Sequence, residues 1–294
     1  MKLNYTVRKD NKYNSVDDVI SKEFNISNRL RTKLINNKKI YLNNLICDTR
    51  SKLSLNDTIT IDFNYEEDNS NIQPTKMNLK ILYEDEWFLA VDKPNNIPSH
   101  PSRSHYSDSL SNGIRYYFDS INLKKIIRPI NRLDLNTSGV MLFAKCEYIQ
   151  ECFIEQMKQN IFQKEYLCIV DGNLPKKSGT IDLPISRKSG SIIEREINKN
   201  GKPSITYYEV IKDFPNYSLL KCKLETGRTH QIRVHMSAIS HPILGDTLYG
   251  NPSNLISRQA LHSYKIKFIH PISKESISII SSIPSDMYKL LNQK

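Results

Sequence analysis

Arg132-Leu133-Asp134-Leu135-Asn136-Thr137-Ser138-Gly139 sets a permanent cation two residues ahead of a carboxylate and follows both with a turn of small residues. The apolar run Val140 to Ala144 comes directly after, and its composition predicts a strand. A loop entering a strand is where a rigid sheet can aim one side chain into a cleft. Asp134 is therefore a candidate nucleophile or general base. A lone Asp beside an Arg also makes an ordinary surface ion pair, so this pair by itself does not define a site.

The full string resembles the central motif of the RluA-type family of pseudouridine synthases, in which the aspartate is the catalytic residue. Further blocks carry the same resemblance in the same order: Lys93-Pro94 and His100-Pro101, then Lys164-Glu165-Tyr166, then Gly201 to Thr206. Leu224 to His235, His241 to Asp246 with Tyr249-Gly250, and Arg258 to His262 with His270-Pro271 complete it. Together they span about Leu79 to Pro284. One position departs: the family usually has histidine before Arg-Leu-Asp, and here it is Asn131. An amide still donates a hydrogen bond but carries no charge near neutral pH. Activity is expected to survive the exchange, which bears on the subfamily and hence on the substrate position.

The resemblance implies that the chain isomerises uridine in RNA. The C1′–N1 bond breaks, the freed base rotates, and it rejoins the sugar through C5. No net redox change occurs, so no cofactor is expected, and the sequence has neither a phosphate loop nor a dinucleotide fingerprint. A paired base is out of reach, so it must first be extruded, at a cost of a few kcal/mol, roughly. By resemblance Arg132 occupies the vacated stack, and a planar guanidinium can both stack and bind phosphate. Tyr166 stacks on the target ring, worth about 1–3 kcal/mol. Arg228 pairs with Asp134 and keeps it ionised. The residues allow a physical account of Arg228, since Thr229 is a possible N-cap for a helix burying Ile232, Met236 and Ile239, with Arg228 at its positive end. Three routes stay open for Asp134: attack on C6, attack on C1′, or removal of the 2′ proton to give a glycal. The resemblance favours the last.

These groups need elements to hold them. Glu84-Asp85-Glu86 is an acidic turn between two apolar runs that predict a strand pair, and β-rich runs recur at 165–170, 205–211, 217–224 and 276–280. Few strong helical patterns accompany them. The expected class is α+β, with a catalytic domain (77–294) built on a mixed, mainly antiparallel β-sheet with flanking helices. Ahead of it, Ser15 is an N-cap before Val16, Val19 and Ile20. A second helix from Ser27 places Leu30, Leu34 and Ile35 on one face, and strands follow at 39–42 and 58–63 around Asn43-Asn44. This pattern resembles an S4 RNA-binding domain, taken as residues 1–65. Residues 66–76 are polar, aperiodic and contain Pro74, which predicts a flexible linker.

Charge agrees with a polyanionic partner. The chain carries net +11 over 294 residues, and residues 21–52 hold eight basic against two acidic residues. Arg29, Arg31, Lys33, Lys38 and Lys39 are the expected RNA-binding residues there, able to follow a phosphate backbone. Five cysteines without Cys-x-x-Cys spacing, and His230 and His235 five apart, predict no disulfide framework and no metal. No apolar run is long enough to span a membrane, and the first residues lack a signal peptide's apolar core. The expectation is a cytoplasmic enzyme without cofactor, acting on 23S-type ribosomal RNA or its precursor and not on DNA or membranes, with no oligomer implied. The alternatives are a transfer-RNA pseudouridine synthase and a non-catalytic RNA-binding protein of ribosome assembly. A two-carboxylate glycosidase is remote, because Asp134 has no acid partner in a comparable motif.

Overall fold

Two sheets organise residues 1–292, the part of the chain that the computed structural model describes. The N-terminal unit comprises β1 (Lys2–Thr6), α1 (Val16–Asp18) running into a π-helical turn over Val19–Glu23, α2 (Asn28–Asn36), β2 (Ile40–Leu42), β3 (Leu45–Ile46) and β4 (Thr58–Asp62). Its sheet runs β1-β4-β2-β3. Ser15 caps α1 in a reciprocal box with Asp18, and Ser27 accepts from the backbone of Leu30 to start α2. Asn43 and Asn44 both have positive φ, 51° and 68°, which gives the β2–β3 hairpin its primed turn. Leu30 and Leu34 are buried, but Ile35 is exposed, against expectation. It lies one residue past Leu34, and a 100° step takes it off the narrow apolar face. β1 was not foreseen, because its five residues alternate polar and apolar too briefly to stand out.

The larger unit contains β5 (Lys80–Glu84), β6 (Phe88–Lys93), α3 (Leu110–Ser120), β7 (Arg128–Pro129), β8 (Ser138–Ala144), α4 (Glu147–Lys158) and β9 (Gln163–Asp171). It continues with β10 (Ser178–Asp182), β11 (Ile185–Arg187), β12 (Arg195–Ile197), β13 (Ile205–Asp213), β14 (Tyr217–Leu224), α5 (Gln231–Ala238), β15 (Leu261–Ile269), β16 (Ser276–Ile280) and α6 (Ser285–Leu291). A 10-stranded sheet runs β10-β13-β14-β9-β15-β8-β6-β5, with β16 on β15 and β7 on β8; β11 and β12 form a separate hairpin. Pairing is antiparallel except between β15 and β8. The class is α+β, as expected. Every residue of β8 is buried, as its unbroken apolar run requires at the centre of a sheet covered on both faces. Among the described residues no helix is long and apolar enough to cross a membrane.

The flexible linker is not observed. Glu67 is held by Arg128 at 2.7 Å and Lys33 at 2.5 Å, Asn69 donates to the Lys125 carbonyl, and Ile72 is buried. Glu67 and Asn69 find these partners on separate elements remote in sequence, which leaves no periodicity for a sequence reading to find. Phe63 stacks on Tyr148 at 5.4 Å and meets Trp87 edge-on, so one apolar cluster crosses between the two units. The N-terminal unit is docked, not tethered.

Candidate active site

The turn bearing Asp134 is gripped from three sides. Lys93, fully buried, donates its three ammonium protons to the carbonyls of Pro94, Ile97 and Leu135 at 2.8, 2.6 and 2.9 Å. Ser99 donates to the Leu133 carbonyl and accepts from the Leu133 N–H. Arg258, fixed by a two-pronged ion pair to Asp286, donates to the Asn136 carbonyl at 2.9 Å. Burial pushes the Lys93 ammonium down to about 7, against the pull of Asp134. At the end of the turn Gly139 has φ of 114°, and a Cβ there would come 2.2 Å from the Ser263 carbonyl oxygen. Only glycine allows β15 to lie parallel against β8 at this point.

Asn131 takes no part in the chemistry's geometry. Its buried amide donates to the Val140 carbonyl at 3.0 Å and accepts from the Leu142 N–H at 2.9 Å, extending the hydrogen-bonding of β8. A neutral imidazole also offers one donor and one acceptor, so the two residue types are compatible with the same structural duty.

The Asp134 carboxylate faces α5. Arg233 donates to it through Nη1 at 3.2 Å, while Nε and Nη2 clasp Asp246 at 2.7 and 2.8 Å. Asp246 is buried and also accepts from the backbone N–H groups of Leu248 and Tyr249. Burial works against the guanidinium charge, but Asp246 and Asp134 outweigh it and raise the Arg233 pKa. His230, the α5 N-cap in a left-handed conformation, brings Nε2 to 3.8 Å from Asp134 and holds the Tyr249 hydroxyl through Nδ1 at 2.8 Å. Burial lowers its pKa despite Asp134, which favours the neutral ring. Asp134 thus sits beside one fixed cation and one neutral imidazole.

This corrects the expected partner. Arg228 does not reach Asp134; its guanidinium is exposed and donates to the Pro203 carbonyl at 3.2 Å. The helix starts one residue later than expected, with His230 and not Thr229 as N-cap, so Arg228 lies on the loop before it. Arg233 occupies the inward face of α5 together with Ile232 and Met236, both buried. A signal existed: an arginine enclosed by apolar helical positions needs a carboxylate, and Asp246 stands in the next block.

Arg132, Asp134, Tyr166 and Arg228 nonetheless line one cleft of about 60 Å³, with Leu133, Thr137, Leu224, His230 to Arg233 and Leu261. Arg132 is exposed at its mouth. Tyr166 forms an inner wall from β9; burial, with Asp134 nearby, raises its phenol well above the usual tyrosine range and keeps it neutral. The cleft therefore offers a carboxylate of fixed direction, a neutral aromatic wall and an exposed guanidinium at the entrance.

The basic residues of the N-terminal unit are mostly engaged. Lys33 bridges Glu67 and Glu147, Arg31 pairs with Asp17 at 2.5 Å, Lys39 lies 3.9 Å from Asp62, and Arg29 lies 3.6 Å from Glu147 while remaining open to solvent. Lys38 forms no ion pair among the described residues and has a positive φ of 53°. Lys33 is committed to docking, because α2 lies against the acidic side of α4, and Arg31 to the packing of α2 on α1.

A carboxylate clasped by a guanidinium beside a tyrosine wall belongs here to a chain of a known class: residues 87–238 match the RNA pseudouridylate synthase family, and the protein is a member of it. It is 36% identical over 270 residues to an uncharacterised RNA pseudouridine synthase of Bacillus subtilis (strain 168), covering 92% of this chain and 95% of that one. Ribosomal large subunit pseudouridine synthase D of Neisseria meningitidis serogroup B is 32% identical over 291 residues, covering 94% of this chain and 78% of the relative. Among solved structures, human RNA pseudouridylate synthase domain containing 1 aligns with a TM-score of 0.58 and 27% identity, over 72% of this chain and 86% of that one. The chain is thus an RNA pseudouridine synthase, an isomerase acting on RNA.

Proposed function

We propose that Asp134 is the catalytic carboxylate and that the substrate is a uridine of large-subunit ribosomal RNA, modified in the cytoplasm. The observation that carries the assignment is the Asp134–Arg233–Asp246 chain, which aims one carboxylate into the cleft beside Tyr166. Asp134 removes the 2′ proton as the C1′–N1 bond breaks. The C–H electron pair becomes the C1′=C2′ double bond and uracil departs as an anion. After rotation, C5 attacks C1′, Asp134 returns its proton to C2′, the C5 proton is lost and N1 takes one up. Arg233 holds the carboxylate charged and oriented. Tyr166, neutral, stacks on the base and takes no proton, and Arg132 fills the gap left in the RNA stack.

The choice of RNA is supported by the large-subunit name of the Neisseria relative. Residues 1–65 act as an S4-like RNA-binding unit, in which the exposed Arg29 and Lys38 are the cations best placed to meet phosphates. Mapping pseudouridines by carbodiimide-stop sequencing in cells with and without the protein tests the substrate, and a site lost only from transfer RNA reverses it. Asp134→Asn preserves shape and removes charge, so it should abolish conversion while leaving RNA binding intact; normal conversion by that variant refutes the catalytic assignment.

A further inference from the structure

The β11–β12 hairpin and the loop before α5 enclose a groove of about 510 Å³ next to the Asp134 cleft. Arg187, Arg195, Lys202 and Arg228 line it, and no acidic side chain does. Elsewhere on the same hairpin a cation does find a carboxylate, Lys188 pairing with Glu194 at 2.9 Å. Among the described residues the four groove cations form no ion pair. Arg195 donates to the carbonyls of Ile193 and Glu194, and Arg228 to that of Pro203, while the Arg187 and Lys202 heads are exposed. Like charges gathered without counter-charge repel one another, and a polyanion relieves this while releasing its own condensed counterions.

The groove is tied to the chemistry. Arg228 lines both groove and cleft. The Arg195 backbone N–H donates to the Tyr249 hydroxyl at 2.8 Å, and that hydroxyl meets His230 beside Asp134. The hairpin is thereby held in fixed register with the catalytic carboxylate. We propose that this groove seats the sugar–phosphate backbone of the RNA strand adjoining the extruded uridine, with Arg187, Lys202 and Arg228 each meeting a phosphate. The proposal rests on the reading of the cleft as the uridine site. Phosphate contacts carry no sequence information, so the groove sets register and orientation and leaves the choice of base to the cleft.

The test compares wild type, Arg187→Ala/Lys202→Ala and a control, Lys176→Ala/Lys289→Ala, which removes two exposed cations outside the groove. Each binds an unmodified in-vitro transcript of large-subunit ribosomal RNA across a salt series, and conversion of the same transcript is followed. Each single-strand phosphate contact contributes about 0.7 to the slope of log K against log[salt], so the groove variant should lose about 1.4 of slope and bind about 15-fold more weakly near 0.15 M salt. The control should keep the wild-type slope. An unchanged slope in the groove variant, or an equal loss in the control, overturns the proposal. The predicted loss from a wild type that converts no uridine would support the groove and sink the catalytic reading; a wild type that fails to bind overturns both.

Discussion

Replacing Arg233 separates orientation of the carboxylate from simple integrity of the fold. Arg233→Gln alone strips Asp246 of two charge-assisted hydrogen bonds at 2.7 and 2.8 Å and leaves a buried anion held only by two backbone N–H groups. Removing one partner of a buried ion pair costs about 3–5 kcal/mol. That is a large share of the roughly 5–15 kcal/mol by which a domain is stable. Loss of activity in this variant would therefore be ambiguous. Arg233→Gln/Asp246→Asn removes both charges, and the surviving penalty should shrink to about 1 kcal/mol, the worth of a neutral hydrogen bond. Asp134 in the double variant still lacks its cation at 3.2 Å. The saturated rate should stay depressed by about 10²–10³, the usual cost of losing one oriented electrostatic partner.

Joining C5 to C1′ expels the C5 hydrogen, so tritium release from C5-labelled uridine in RNA measures the rate, with thermal unfolding run in parallel. A folded double variant within about threefold of the wild-type saturated rate would refute the role given to Arg233. Arg228→Gln supplies the contrast. Exposed and bound only to a backbone carbonyl, it should shift stability by no more than about 0.5 kcal/mol and weaken RNA binding more than it lowers the saturated rate.

Three further perturbations follow from the clamps. Despite burial, Arg128 and Lys33 hold Glu67 down to about 2, from an ordinary 4.5. Because the folded value lies below the unfolded one, its contribution is full above about pH 4.5 and fades as pH falls toward 2, amounting to about 3 kcal/mol. Urea midpoints across this window should fall steeply for wild type, while Glu67→Gln starts less stable and declines more gently. Gly139→Ala forces a Cβ against the Ser263 carbonyl at positive φ, costing at least the roughly 1–3 kcal/mol of backbone strain and displacing Asp134; a wild-type Tm would disprove the close-approach argument. Asn131→Ala leaves the Leu142 N–H without its side-chain partner and should cost about 1–3 kcal/mol by chemical denaturation, whereas Asn131→His keeps most of the stability.

Several strands were legible because each depends on its own residues: β8 as an apolar run, β4 of the N-terminal unit by alternation, β5 and β6 by the acidic turn between them. The turn that carries Asp134 ahead of β8 was legible because its motif is local. What the residues did not reveal was pairing across the fold. Arg228 and Arg233 lie five positions apart on one segment, and only the start of α5 at Gln231 determines which of them turns inward. The segment 66–76 misled for a related reason. Glu67 among Asn, Asp and Ser reads as solvated, yet its partners Lys33 and Arg128 stand 34 and 61 residues away. Lys33 of α2 reads as a free cation for the same reason, since its second partner, Glu147 of α4, is remote in sequence.

Lys93 shows how several separated blocks come to hold one carboxylate. A lysine without solvent survives in the core only where its charge is accommodated, and here three carbonyls on two loops accept its protons. Those bonds join β6 to the residue after Asp134. Arg258 does the same from the β15 side through Asn136, and Ser99 through Leu133. Each clamp grips backbone and leaves the Asp134 side chain untouched, so the turn is fixed while its carboxylate stays open to the cleft. Arg233, anchored by Asp246, then sets the remaining degree of freedom, the direction in which that carboxylate points. In the proposed reaction, which detaches a base and turns it within the site, the carboxylate must not move with it, and the clamps are what keep it in place.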